Sequence, residues 1–180
     1  MLAYIPFLSY YMYTGVHMSI VRIVGQINDK SFSKFARQMD KLRNQAVQIE
    51  LYSEGGDEDG GLAFHGKIKN HLHEVTVTVH GNCNSAALAI LAAADIRQCT
   101  PEATFLVHDS TITITGTISQ IAEELKQQEA AEHRWDKLMA NASSKPPSFW
   151  REVSSKSTIL TAEDALKYGL IHTILDKDSR

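Results

Sequence analysis

The sequence predicts a single-domain α/β protein. Two observations carry that expectation. Segments in which apolar residues alternate with a period of two recur along the chain, and segments with apolar residues three and four apart fall between them. No internal repeat, linker or shift in composition divides the 180 residues, and a 43% hydrophobic content is enough for one sizeable core.

The elements follow in order. SIVRIVGQI (19–27) reads as the first strand. Asp29 or Ser31 opens a helix whose Phe32, Phe35, Met39 and Leu42 share one face. AVQIELYS (46–53) is the second strand, and EGGDEDGG (54–61) predicts a mobile loop without the spacing of an EF-hand calcium site. A helix through LAFHGKIKN leads to the strand VTVTVH (75–80), and GNCNSAALAI (81–90) turns from strand to apolar helix with Ser85 at the corner. A short strand near Ile96–Cys99 and a stronger one at ATFLVH (103–108) come next. DSTITITG (109–116) alternates Ile and Thr, which predicts a strand with one face available. A long helix runs from Thr117 to about Asn141, with a stripe of Ile118, Ile121, Leu125, Trp135, Leu138 and Met139 that Gln128 and Glu132 interrupt. SSKPPS ends it. TAEDALKYG carries a Thr161…Asp164 capping box and a terminal Gly169, and LIHTIL returns as a strand.

Bulk chemistry excludes some classes. The formal charge is −3 and no basic stretch stands out, so nucleic acid is not an expected partner. Cys83 and Cys99 make neither a disulfide framework nor a CxxC metal pattern, which suits a reducing cytoplasm. Residues 1–17, MLAYIPFLSYYMYTGVH, lack the basic start and cleavage site of a signal peptide and are too short to span a bilayer. They are expected to be a leader, either upstream of a true start at Met18 or a disordered or partner-binding arm. The domain proper is 18–180, with no membrane partner.

Ser85 has two readings. It suits a helix N-cap, although Asn82 and Asn84 serve that purpose equally. It also suits a nucleophile, which needs a base to take its proton and donors to hold an oxyanion. His108, ending a strong strand, is the candidate base. The backbone N–H of Ala86 at the helix start and the Gly55-Gly56 pair after the second strand are the candidate donors. His65, His71, His73 and His80 are close in sequence but straddle three elements, so solvated or core histidines are expected and no metal. Cys83 is expected to pack, with a sulfur nucleophile as its rival reading.

Together these features resemble the Clp protease proteolytic subunit family over roughly Ile20 to Asp176. LYSEGG matches the family's strand and Gly-Gly loop, with Glu54 where proline is usual. GNCNS at 81–85 matches its Gly-x-Ala-Ala-Ser nucleophile motif, and FLVHD its histidine, two residues closer to the serine than usual. Gly116 and ILTAEDALKYGLIHTIL match the start of its long helix and its last helix and strand. The family's catalytic Asp position reads Ser157 here. A serine can orient an imidazole without offsetting its charge. The departure predicts a slower enzyme, another partner for His108, or a lapsed site, since Asp109 next door would point the other way along a strand.

The resemblance implies a fold of repeated ββα units with a protruding handle helix, and a serine endopeptidase acting on unfolded polypeptides. In that reading Ser85 attacks, His108 carries the proton, Ser157 fills the third position, and the N–H groups of Gly56 and Ala86 bind the oxyanion. TITIT (111–115) and the loop after Gly56 would flank an extended peptide. It further implies a homo-oligomer of two stacked seven-fold rings, meshed through the long helix, and an AAA+ Clp ATPase partner. ATP would be used by that partner and no cofactor by this chain. Two alternatives stand beside this: a catalytically impaired ring subunit or scaffold, and a crotonase-type acyl-CoA enzyme, which AILAAADIRQCTPEATF also resembles.

Overall fold

The computed structural model describes residues 18–175. The leader expected at 1–17 lies outside the described residues. In chain order the elements are β1 (Ser19–Val24), α1 (Asp29–Lys41), β2 (Val47–Ser53), α2 (Glu58–Lys69), β3 (Val75–Cys83), α3 (Ala87–Ala93), β4 (Ile96–Cys99) and β5 (Thr104–Val107). They continue as α4 (Ile118–Asn141), α5 (Pro147–Ser155), β6 (Thr158–Thr161), α6 (Ala162–Lys167) and β7 (Thr173–Ile174).

β1, β2, β3, β4 and β7 form a parallel sheet in that spatial order, as crossovers through helices require. β3 lies in the middle, and Val75, Val77 and Val79 are buried along with Thr76 and Thr78 between them. Burial on both faces is the expected environment of a central parallel strand. β3 then forks. As far as Val79 it pairs with β4, while Asn82 pairs with Thr104 of β5, which runs antiparallel to β6. The tail of β3 thus leaves the main sheet for a small second one, and the chain turns at that fork into α3. Every residue of α3 is buried, as its run of alanine, leucine and isoleucine demands.

Several expectations are corrected. The segment 54–61 is not a mobile loop: Asp57 caps α2 by accepting from the Gly60 N–H at 2.6 Å, so Glu58–Gly61 form its first turn. α1 is capped by Asn28 in a reciprocal box with Ser31, rather than opened by Asp29 or Ser31. The alternating DSTITITG is not a strand, because among the described residues no neighbouring strand lies beside it to exchange hydrogen bonds. Residues 147–155, of which Pro147 and Ser148 belong to the SSKPPS stop and the rest carried no expectation, form α5 with Pro147 in its first turn and Trp150 and Val153 turned inward. Of LIHTIL, Thr173–Ile174 alone pairs as a strand among the described residues.

α4 begins where expected, with Thr117 and Gln120 closing a capping box. Its 24 residues extend about 36 Å. Its apolar stripe divides in two: Trp135, Leu138 and Met139 pack on the core, whereas Ile118 and Leu125 are 88% and 45% exposed. The N-terminal half of the helix therefore stands off the body. Among the described residues no helix is long and apolar enough to cross a membrane.

Candidate active site

The corner at Ser85 is held from both sides. The Asn84 N–H donates to the Ser53 carbonyl at 3.0 Å, at the end of β2, and the Ser85 N–H donates to the Leu106 carbonyl at 2.8 Å, on β5. Ser85 itself has φ +52°, a left-handed conformation that costs a non-glycine residue about 1–2 kcal/mol. Strain of this kind persists where the surroundings enforce it, and here two strands do. The hydroxyl is not a helix cap: the N-cap of α3 is Ala86, without a side-chain hydrogen bond.

Glu54 explains two departures from the family motif at once. Its carboxylate accepts from the side-chain amides of both Asn82 and Asn84. Asn84 in turn accepts from the Leu106 N–H at 2.9 Å, and Asn82 from the Thr104 hydroxyl at 2.9 Å. Acid and amides form one network that ties β2, the nucleophile corner and β5. The glycines after Glu54 are required by crowding. A Cβ at Gly55 would lie 2.8 Å from the Ser85 Cβ, and one at Gly56 would lie 2.3 Å from the Ile27 carbonyl oxygen. The Gly-Gly pair therefore lets the loop close onto Ser85.

Gly56, Ser85, Ala86 and His108 all line one cleft of about 350 Å³. Among the described residues neither the Gly56 N–H nor the Ala86 N–H donates to a protein acceptor. Two free backbone donors beside a hydroxyl are the components of an oxyanion hole.

His108 follows β5, and its Nδ1 lies 2.7 Å from the Asp109 carbonyl oxygen. A carbonyl only accepts, so this contact places a proton on Nδ1, and in the neutral ring Nε2 then keeps its lone pair, the form a general base needs. No hydrogen bond joins His108 to Ser85 in the single chain. The Asp109 carboxylate is occupied elsewhere, in an ion pair with Arg151 of α5. Arg151 also bonds Glu132 of α4 at 2.6 Å and lies 3.9 Å from Asp136. Ser110, next along, donates to Glu58 of α2 at 2.9 Å. The segment after the histidine is thus tied directly to α5 and α2, and through Arg151 to α4.

The antiparallel register of β5 and β6, with Val107 opposite Thr158, sets Ser157 across from His108 just past the end of the ladder, but no hydrogen bond joins the two. Ser157 is exposed, absent from the cleft lining, and has φ +49° at the turn after α5, where its N–H donates to the Ser154 carbonyl at 2.9 Å. The partner of the histidine is the backbone of its own neighbour. Asp109 contributes through its carbonyl, a role that sequence alone does not display.

The floor of the cleft is acidic. Burial pushes the carboxyls of Glu132 and Asp136 above the usual range; Asp136 and Glu58 add to the push on Glu132, while the Gln128 amide and His133 oppose it. The interruption of the α4 stripe at Gln128 and Glu132 was the visible signal of this floor. Arg151 gave none, since α5 was not foreseen.

Other candidates lie elsewhere. Cys83 is fully buried and desolvation raises its thiol strongly, which suits packing and not attack. Burial likewise pushes Cys99 up to about 12. His65 contacts the Ala89 carbonyl and His71 the Gln45 carbonyl, so each bridges the backbone of another element.

Comparison with known proteins identifies the family and the fold. The model of the Clp protease family matches residues 9–178. The chain is 27% identical over 159 residues to the ATP-dependent Clp protease proteolytic subunit 3 of Nocardia farcinica, covering 84% of this chain and 72% of that protein. It is 28% identical over 158 residues to the proteolytic subunit 3 of Rhizobium etli, covering 85% and 81%. A ClpP1 mutant from Listeria monocytogenes superposes with a TM-score of 0.81 at 24% identity, over 89% of this chain and 93% of that one, a likeness of fold. With the family matched over nearly its whole length, and an α/β body that superposes on a ClpP fold, this chain belongs to the Clp protease family.

Proposed function

We propose that this chain is a serine endopeptidase subunit in which Ser85 is the nucleophile and His108 the general base. The observation that carries the reading is the convergence of a strained serine, an imidazole with its proton on Nδ1 and two free backbone N–H groups on one cleft. Ser85 Oγ attacks the peptide carbonyl as its proton passes to His108 Nε2. The N–H groups of Gly56 and Ala86 receive the oxyanion. The tetrahedral intermediate collapses as His108 gives the proton to the leaving amine, and a water activated by the same imidazole releases the acyl group. The 2.7 Å contact with the Asp109 carbonyl orients the ring without offsetting its charge, so turnover slower than with a carboxylate partner is expected. Closing of the Ser85–His108 hydrogen bond accompanies substrate entry or assembly.

The site works within a homo-oligomeric ring, paired through α4 and fed unfolded chains by a Clp-type ATPase, with ATP consumed by that partner. The exposed Ile118 and Leu125 on the free half of α4 and the unpaired TITIT segment beside it support this part of the reading. The buried free thiols favour a cytoplasmic setting. Labelling with a serine-directed fluorophosphonate tests the chemistry: an adduct on Ser85, lost in Ser85→Ala with Cys83 intact, is expected. Absence of an adduct with and without an ATPase partner would refute it.

Ser157, exposed and without a hydrogen bond to His108, favours a second reading, a non-catalytic ring subunit. It predicts a heptameric or larger particle by light scattering with no peptide turnover, and a clean monomer would reject it.

A further inference from the structure

The cleft beside Ser85 carries far more acid than base. Glu58, Asp109, Glu132 and Asp136 line it, and Arg151 is the one Lys or Arg among its lining residues. The guanidinium is committed to Asp109 and Glu132, with Asp136 Oδ2 3.9 Å away. His133, a surface imidazole, lies 4.0 Å from that same oxygen. Asp136 is 2% exposed, yet its Oδ1 has no hydrogen-bond partner. Ser154, on α5 and also 2% exposed, lines the same cleft with its hydroxyl unpartnered. Buried oxygens are ordinarily satisfied, and two unsatisfied ones in the wall of a cleft mark where a donor from outside belongs.

We propose that this cleft is the subsite for a lysine side chain, carried by the residue on the acyl side of the bond that Ser85 attacks. The ammonium has three donors, and it meets Asp136 Oδ1, the Ser154 hydroxyl and the Glu132 carboxylate. Leu88, Ile112 and Trp135 flank the aliphatic stem, as the side chain of a buried lysine requires. An entering cation also relieves the mutual repulsion of Glu132 and Asp136, whose ionised forms burial disfavours. This assignment rests on the reading of Ser85 as the nucleophile.

The test uses two peptidyl diphenyl phosphonates that differ in one side chain, lysine or its uncharged isostere norleucine, with the rate of Ser85 modification followed by intact-mass spectrometry on the full chain. The lysine probe is expected to react about tenfold faster or more, because buried acceptors built for a donor reject the analogue lacking one. In the double variant Asp136→Asn, Glu132→Gln that ratio is expected to fall towards one. Equal or faster reaction of the norleucine probe, or a ratio unchanged in the double variant, overturns the subsite. A fluorophosphonate without a side chain separates the two layers. If it modifies Ser85 in every protein while the lysine preference is absent, the subsite alone falls. If it never modifies Ser85, the nucleophile assignment falls and the subsite with it.

Discussion

Arg151 touches neither the serine nor the imidazole, yet it holds the Asp109 whose carbonyl sets the tautomer of His108. It is a positioning residue, and Arg151→Ala is expected to slow fluorophosphonate labelling of Ser85 on the order of tenfold, the scale of a small misplacement of a catalytic group. Arg151→Lys should restore part of the rate, because a point charge can still pair with Asp109. Rate measured against pH distinguishes positioning from general loss of structure: a misoriented imidazole lowers the plateau, whereas unfolding abolishes it. Glu54 makes a second prediction at this scale. Glu54→Ala leaves the buried Asn84 amide without its acceptor and is expected to cost about 1–3 kcal/mol by urea unfolding. Asn84→Ala carries a loss of its own, because the Leu106 N–H then loses its acceptor, so the double variant Glu54→Ala, Asn84→Ala should lose less than the sum of the two single losses. The sequence displayed Glu54 and Asn84 as separate departures from the motif and Asn82 at its free position, and only their contact makes them one feature.

Among the elements, the packing of α4 against α5 brings acid and base together over the cleft. Asp136 is the most deeply buried charge there. It faces His133 and Glu132 on its own helix and Arg151 on α5, while Glu58, Asp109 and His108 complete the cleft's titratable lining. Its carboxyl binds a proton more tightly folded than unfolded, so the native state takes up protons and stability falls as pH rises from about 4 through the raised value. Asp136→Asn is expected to flatten that part of the stability profile, read as chemical denaturation midpoints at a series of pH values. α5 was illegible because SSKPPS signals a stop, and nothing local announces that a nine-residue helix restarts within it. TITIT misled for the opposite reason: its alternation is a genuine strand pattern with no partner strand among the described residues.

For the whole molecule, the two halves of α4 have different fates. One is anchored in the core and the other carries Ile118 into solvent at 88% exposure. If the ring forms through this half, Ile118→Asp is expected to shift sedimentation towards single rings or monomers, with little effect on the unfolding midpoint of the monomer. An unchanged particle size would place the interface elsewhere. The sequence by itself determined the α/β class, the corner at Ser85, the histidine at 108, the glycine pair and the capped start of α4, because each is written in local periodicity, capping chemistry or motif spacing. The tertiary structure alone decided what touches His108, why Glu54 is tolerated, that Ser157 makes no hydrogen bond to His108, and that Glu132, Asp136 and Arg151 share a wall of the cleft. Those are meetings of residues 15 to 42 positions apart, or of a side chain with its neighbour's backbone, and no local pattern encodes them.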